Sequence, residues 1–293
     1  MLTGVVIKAY QGYYDVQTEQ KVVLCTVRGK LKQERFILLV GDKVEYKISS
    51  GNKGVIETIL PRSSLLQRPL VANVNQVVLA FACHNPDYSM PMVDRFLVLA
   101  EVSQLQSVLC FNKLDLADAK ELESVAMLYR SIGYPVVLAA ARQNTGIDEL
   151  RSLLNCRITV FAGPSGVGKS TLLNAIDPGL LLKTGEISEK IKRGKHTTRH
   201  AELLPLAGGG FVVDTPGFSF TEFIDMPEEG VKECFPEFYK LDKPCKFSTC
   251  LHDSEPQCTV KAAALQGTIS PSRYQNYLDI LHEIQANKKG YRS

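Results

Sequence analysis

Eight consecutive residues, Gly163-Pro164-Ser165-Gly166-Val167-Gly168-Lys169-Ser170, follow the spacing GxxxxGKS, and Thr171 carries them into a helical pattern. Glycines at these positions let the backbone curl until successive N–H groups point into one concavity. The N-terminus of the following helix adds partial positive charge at the same point. Such a loop is built to hold phosphate. Lys169 can reach the β- and γ-phosphates of a nucleoside triphosphate, and the Ser170 hydroxyl can ligate Mg²⁺. Context makes the match specific: an apolar strand is expected over Ile158–Ala162 and a helix over 170–176.

Asp214-Thr215-Pro216-Gly217 closes another apolar strand, Phe211–Asp214. An acid at that strand end can hold Mg²⁺ through water, and the Gly217 N–H can meet a γ-phosphate. Asn112-Lys113-Leu114-Asp115 reads NKxD directly after the strand expected over 107–111. The Asp115 carboxylate can accept from the guanine ring N–H and exocyclic amine together. Adenine offers neither arrangement, so ATP would leave a charged acceptor unpaired. Asn112 can bond the opposite edge of the base, and the Lys113 stem can pack on the ring face. Guanine is therefore the expected base, with a looser base-edge loop over 139–145. Two other readings use the same residues: an RNA-binding module in which GTP is a static clamp, and a P-loop ATPase or kinase.

Cys245, Cys250, His252 and Cys258 place three thiols and an imidazole in one short stretch. Four such ligands complete a tetrahedral Zn²⁺ shell with no open position, which predicts a structural site that supplies folding energy to a small segment. Cys83, Cys110 and Cys156 lie in or beside apolar runs and read as buried small hydrophobes. Cys234 reads as a bystander, and His84 and His282 as residues without partners. This cysteine usage predicts a reducing, cytoplasmic setting.

The motif order is unusual. NKxD at 112 precedes the phosphate loop at 163, whereas an ordinary GTPase has the reverse order, so the core must be circularly permuted. That is physically reasonable because the ends of a compact domain lie close together. Asp214 then lies near the end of the core, where a nucleotide-dependent movement would pull on the segment that follows. With these motifs in this order, the chain resembles the RsgA family, circularly permuted GTPases that depend on the small ribosomal subunit, along essentially its whole length. The resemblance implies slow intrinsic GTP hydrolysis stimulated by the 30S subunit, a barrel that contacts 16S rRNA, GTP/GDP with Mg²⁺, and zinc on the four residues above. It also implies a GxHTT switch at 194–198. Either threonine there could ligate Mg²⁺; Thr198 is favoured because it directly precedes Arg199. Phe218, after the DxxG glycine, cannot orient water by a hydrogen bond, so His196 is the candidate for placing it.

The elements that must position these groups follow from periodicity. Residues 1–60 show short alternating strands separated by glycine turns, which suggests a five-stranded OB-fold barrel. Residues 61–64 and Pro69 read as a connector. From residue 74, buried strands (74–82, 107–111, 136–140, 157–162) alternate with helices (91–104, 118–132, 146–154), the signature of parallel β-α units covered on both faces. Strands over 201–206 and Phe211–Asp214 follow. Later the pattern is helical, over 228–239, 260–265 and from Pro271, where Tyr274, Tyr277, Leu278 and Leu281 share a face.

The expected architecture is thus a multidomain chain. It comprises an OB-fold β-barrel (1–68), a central α/β circularly permuted P-loop GTPase (69–225), and a mostly helical zinc-binding domain (226–293). The 293 residues suit two or three domains. With 45% hydrophobic and 22% charged residues, a disordered, collagen-like or coiled-coil chain is excluded. The net charge of +3 divides as +5, −2 and zero over those three segments, so the barrel holds the basic excess. Segment 183–200 adds a local basic patch, six Lys/Arg against two acids. No apolar run reaches membrane-spanning length and no secretory signal is visible. The expected protein is a cytoplasmic monomer with neither membrane nor DNA partner.

Overall fold

Val16, Val23, Cys25, Val44, Tyr46 and Ile56 alternate with exposed or half-exposed neighbours and share one core with Val6. Period-2 burial of this kind turns one face of each strand inward. The strands are β1 (Leu2–Tyr10), β2 (Tyr13–Gln17), β3 (Val22–Val27), β4 (Lys43–Ser50) and β5 (Lys53–Ile59). They close as a barrel in the order β1-β2-β3-β5-β4, with β3 and β5 parallel and the other pairs antiparallel. This is the expected five-stranded barrel. The computed structural model describes the chain except residues 30–36, 68, 181, 183–200, 215–225 and 291–293.

The expected connector has structure of its own. β6 (Leu65–Gln67) and β7 (Leu70–Ala72) form a hairpin whose Leu66 and Val71 enter the main core. Arg62 anchors its approach: Nε and Nη2 donate to the two oxygens of the fully buried Asp42 at 2.6 and 2.8 Å.

Six strands make the central sheet, in the order β10-β9-β8-β11-β13-β12. They are β8 (Gln76–Ala82), β9 (Gln106–Asn112), β10 (Val136–Leu138), β11 (Ile158–Ala162), β12 (Glu202–Pro205) and β13 (Phe211–Asp214). All neighbours are parallel except β12 and β13. Every residue of β8 and of β11 is buried. Alternate residues feed two cores, Val77, Leu79 and Phe81 into one, Val78 and Ala80 into the other. Helices α1 (Met90–Val102) and α2 (Ala119–Ile132) cover the first face, and α3 (Ile147–Leu154) and α4 (Lys169–Ile176) the second. That double cover is why the strands are continuously apolar. Ile7 and Val40 of the barrel join the first core beside Leu203 and Val213, and Lys8 Nζ meets Glu202 at 3.1 Å, so the barrel packs against edge strand β12.

The C-terminal part contains α5 (Glu228–Glu233), a 3₁₀ turn (Pro236–Lys240), α6 (Thr259–Leu265) and α7 (Pro271–Gly290). The single helix expected over 228–239 is two pieces, because Pro236 lacks the N–H that would continue it. The core of this part includes Val98 and Leu99 of α1. Beside them, Arg273 of α7 is fully buried. It donates from Nη1 to Asp94 Oδ1 (2.6 Å) and from Nε and Nη2 to Glu237 (2.8 and 3.1 Å), over the Phe235 ring at 4.5 Å. Cys156 is exposed rather than buried, since it occupies the turn before β11 with φ +58°, and Cys83 is half-buried. His84 and His282 do have partners, Asp87 at 2.6 Å and Asp253 at 3.2 Å. Among the described residues no helix is long and apolar enough to cross a membrane.

Candidate functional site

The C-terminal ends of β9, β11 and β13 carry the three nucleotide motifs, which the parallel sheet brings to one edge, where open α/β sheets bind ligands. The phosphate loop runs from β11 into α4. Gly163 has φ +137°, and a Cβ there would lie 2.0 Å from the Ala80 carbonyl oxygen of β8. Gly168 has φ +93°, and its Cβ would lie 2.6 Å from Asn112 Nδ2. Both positions therefore require glycine for conformation and for space. Pro164, Ser165, Gly166 and Val167 complete the turn, with Val167 buried, while Ser170 is buried and Thr171 half-buried at the start of α4.

Lys169 Nζ donates to the carbonyls of Gly163 and Pro164, both at 2.8 Å. Burial pulls its pKa down to about 8. A cation destabilised by desolvation gains from a phosphate, which both pairs it and favours its protonated form.

Asn112 is buried. Its Nδ2 donates to the Val167 carbonyl at 2.9 Å, and its Oδ1 accepts from the Ala141 N–H at 3.2 Å. It therefore braces the phosphate loop against the 139–145 loop, leaving one N–H and one lone pair for a base edge. Motif reasoning did not show this brace, because its partners are 55 and 29 residues away. Lys113 adopts φ +62° and donates from Nζ to the Asn85 carbonyl. Asp115 is exposed within the short 3₁₀ turn Leu114–Leu116. The Leu114 N–H donates to the Ala139 carbonyl at 3.0 Å, holding the NKxD turn beside the 139–145 loop. Asp214 ends β13, next to β11 and its phosphate loop. His196, Thr198 and Gly217 lie outside the described residues.

The second site is a metal-ligand cluster. The donor atoms of Cys245, Cys250, His252 and Cys258 all lie within 4.8 Å of one another. Cys245 Sγ is 3.4 Å from His252 Nδ1 and 3.8 Å from Cys258 Sγ, which is 3.5 Å from His252 Nδ1. A tetrahedron with Zn–S near 2.3 Å and Zn–N near 2.0 Å has edges of about 3.4–3.8 Å. Donor set and spacing therefore fit Zn²⁺. Burial pushes the Cys250 thiol up to about 12 and pulls His252 down, so the imidazole is neutral and ready to ligate, whereas Cys250 must surrender a proton to a metal. The surroundings hold the ligands in place. Tyr274 Oη donates to the His252 carbonyl at 2.7 Å, Tyr277 Oη donates to the Leu251 carbonyl, and the Lys261 N–H donates to Cys258 Sγ at 3.4 Å.

Comparison with known proteins places these features together. The sequence pattern of the RsgA N-terminal domain matches residues 3–56, and that of the RsgA GTPase matches residues 59–224. A protein of Caldanaerobacter subterraneus named small ribosomal subunit biogenesis GTPase RsgA is 43% identical over 288 residues, covering 98% of this chain and 97% of the relative. One of the same name from Carboxydothermus hydrogenoformans is 46% identical over 289 residues, covering 98% and 99%. The crystal structure of YjeQ from Thermotoga maritima aligns with a TM-score of 0.83 at 42% identity, covering 97% of this chain and 98% of that one. YloQ, a circularly permuted GTPase, aligns with a TM-score of 0.83 at 38% identity, covering 98% and 96%. The two family patterns cover the barrel and the permuted core, and the relatives align over nearly the full length of this chain, which belongs to the RsgA family of GTPases.

Proposed function

We propose that this GTPase hydrolyses GTP to GDP and phosphate by in-line attack of water, and acts in late maturation of the small (30S) ribosomal subunit. The reading rests on one observation: a guanine-selective acid, a phosphate loop and Asp214 converge at one sheet edge, in a chain whose flanking parts are a basic barrel and a zinc module. Residues 1–68 and 226–293 are the parts that bind 16S rRNA, around the core 69–225. The +5 charge of the first segment supports that role, as do the names of the relatives. The protein works in the cytoplasm as a monomer, without membrane or DNA.

Within the core, Asp115 selects guanine, with Lys113 against the ring face and Asn112 bracing the base and phosphate loops together. Backbone N–H groups between Gly163 and Thr171, Pro164 excepted, cradle the phosphates, and Lys169 neutralises β- and γ-oxygens. Ser170, Thr198 and Asp214 would hold Mg²⁺, which supplies further charge neutralisation on those oxygens. The Gly217 N–H meets the γ-phosphate. Phe218 cannot orient water, so the basal rate is low; His196 places the water when the ribosomal partner is bound. Zn²⁺ on Cys245, Cys250, His252 and Cys258 is structural.

Turnover measured with and without 30S subunits tests the whole reading. Stimulation is expected, and its absence would sink the ribosomal role. His196→Ala should abolish the stimulated rate while GTP affinity stays. Asp115→Asn should move preference from guanine toward xanthine nucleotides, and an unchanged preference would remove the guanine assignment.

A further inference from the structure

The loop between β8 and α1, residues 83–89, belongs to none of the nucleotide motifs, yet it touches both halves of the nucleotide site. The Cys83 N–H donates to the Asn112 carbonyl at 2.9 Å. Tyr88 stands edge-on to Phe111, with ring centroids 5.1 Å apart. Pro86 Cδ lies 3.5 Å from where Gly166 would carry a Cβ. Between these contacts, the Asn85 carbonyl accepts from Lys113 Nζ. Both partners of that bond have left-handed backbones, φ +50° at Asn85 and +62° at Lys113. Side chains other than glycine are disfavoured there, asparagine least, and such conformations persist where the surroundings over-determine them. The loop is also held from within: Asp87 Oδ1 accepts from the Asn85 N–H at 3.3 Å and meets His84 Nδ1 at 2.6 Å.

We propose that Asn85 is a positioning residue of the guanine-nucleotide site: its left-handed backbone presents the carbonyl that holds the Lys113 ammonium, fixing that side chain as the platform for the base. This rests on the assignment of Lys113 and Asp115 to base recognition. A lysine already tied down loses less side-chain freedom when the nucleotide arrives, so the effect belongs to affinity more than to the chemical step. Because the contact is made by the backbone, the side chain at 85 matters only through the φ it permits.

The test is GDP binding to the full chain by titration calorimetry, with steady-state GTP hydrolysis alongside. Asn85→Val disfavours a positive φ and should weaken GDP on the order of tenfold, as expected for a hydrogen bond to a charged group. The loss should fall on KM more than on kcat. Asn85→Gly takes the same φ freely and should bind within about twofold of the parent. Asn85→Ala, smaller but still strained, replaces the valine variant if that one does not fold. Lys113→Met should weaken GDP as well. Parental affinity in the valine or alanine variant, beside a weakened Lys113→Met, overturns the positioning role alone. So does a glycine variant as weak as valine. Parental affinity in Lys113→Met overturns the base assignment, and this proposal with it.

Discussion

Replacing Arg273 by Met removes a guanidinium that is fully buried between the GTPase core and the C-terminal part. Asp94 of α1, also fully buried, loses its 2.6 Å partner, and Glu237, 9% exposed, loses a two-pronged one. Asp94 keeps the Tyr129 hydroxyl at 2.6 Å and the Asn276 amide at 2.5 Å, but both are neutral donors. Two carboxylates then face an apolar interior without a cation. Breaking a buried ion pair from one side costs about 3–5 kcal/mol, because the remaining charge is left uncompensated. At about 2–4 °C per kcal/mol for domains of 150–250 residues, the melting temperature should drop by roughly 6–20 °C. Arg273→Lys keeps the charge but not the fork that serves two acids at once, and should recover only part of the loss. The triple variant Arg273→Met, Asp94→Asn, Glu237→Gln removes the charges together and should recover most of it. Differential scanning calorimetry on the full chain reads all three. An Arg273→Met variant melting within about 2 °C of the parent, or a triple variant no better than the single one, would refute the reasoning.

Two further outcomes follow from the sites. One zinc per chain is expected by elemental analysis; Cys258→Ser should lose it and expose the 240–260 segment to proteolysis, and a chain purified without zinc that resists proteolysis there would contradict the assignment. Lys169 supplies a linkage test. Its folded-state pKa, about 8, lies below the ordinary lysine value, so the free protein gains stability as pH rises through that window and carries a penalty below it. Phosphate contact favours the protonated form, so GDP binding at pH 8 should take up about half a proton, read as a buffer-dependent binding enthalpy that Lys169→Met abolishes. Equal enthalpies in buffers of different ionisation heat would show that the lysine is already fully protonated.

The parts of the site that were legible in the sequence are those whose residues are neighbours in the chain. The phosphate loop and NKxD are defined by local spacing in a strand-end context and the Cys₃His run by spacing alone; the structure sets the first two at strand ends and brings the four donor atoms together. The brace at Asn112 and the contact from Asn85 to Lys113 arise only when the sheet sets β8, β9 and β11 side by side, and no local pattern encodes that. Asn85-Pro86 is a loop signal and nothing more. Arg273 was the least legible. It lies in the first turn of α7, where a charged residue is expected to face water, and its partners are 36 and 179 residues away. The split at Pro236 was readable from proline chemistry, whereas the β6–β7 hairpin was masked by Pro61 and Pro69, which look like linker punctuation.

The sheet order also shows where the permutation opened the core and what it did with the loose ends. In the ordinary order of motifs, β13 would lead to β8 by a connection crossing β11, since β8 and β13 flank β11. Here that connection is absent. The chain enters β8 from the β6–β7 hairpin, at the strand end away from the nucleotide motifs, and leaves β13 at Asp214, on the nucleotide edge. The barrel is thus tethered away from the nucleotide and reaches the β12–β13 pair only by packing, through Ile7 and the Lys8–Glu202 pair. The C-terminal part has the opposite arrangement. Its tether starts beside the phosphate loop, and its body is bolted to α1 by Arg273 and by the two-pronged Arg95–Glu283 pair at 2.6 and 2.8 Å. A nucleotide-dependent movement at Asp214 would therefore act on a clamped body. Such a movement would meet α1, which begins after the loop whose Asn85 carbonyl accepts from Lys113 Nζ. The clamp thus ties the C-terminal part to the helix that follows the base-side loop, while the chain leaves the core on the phosphate side.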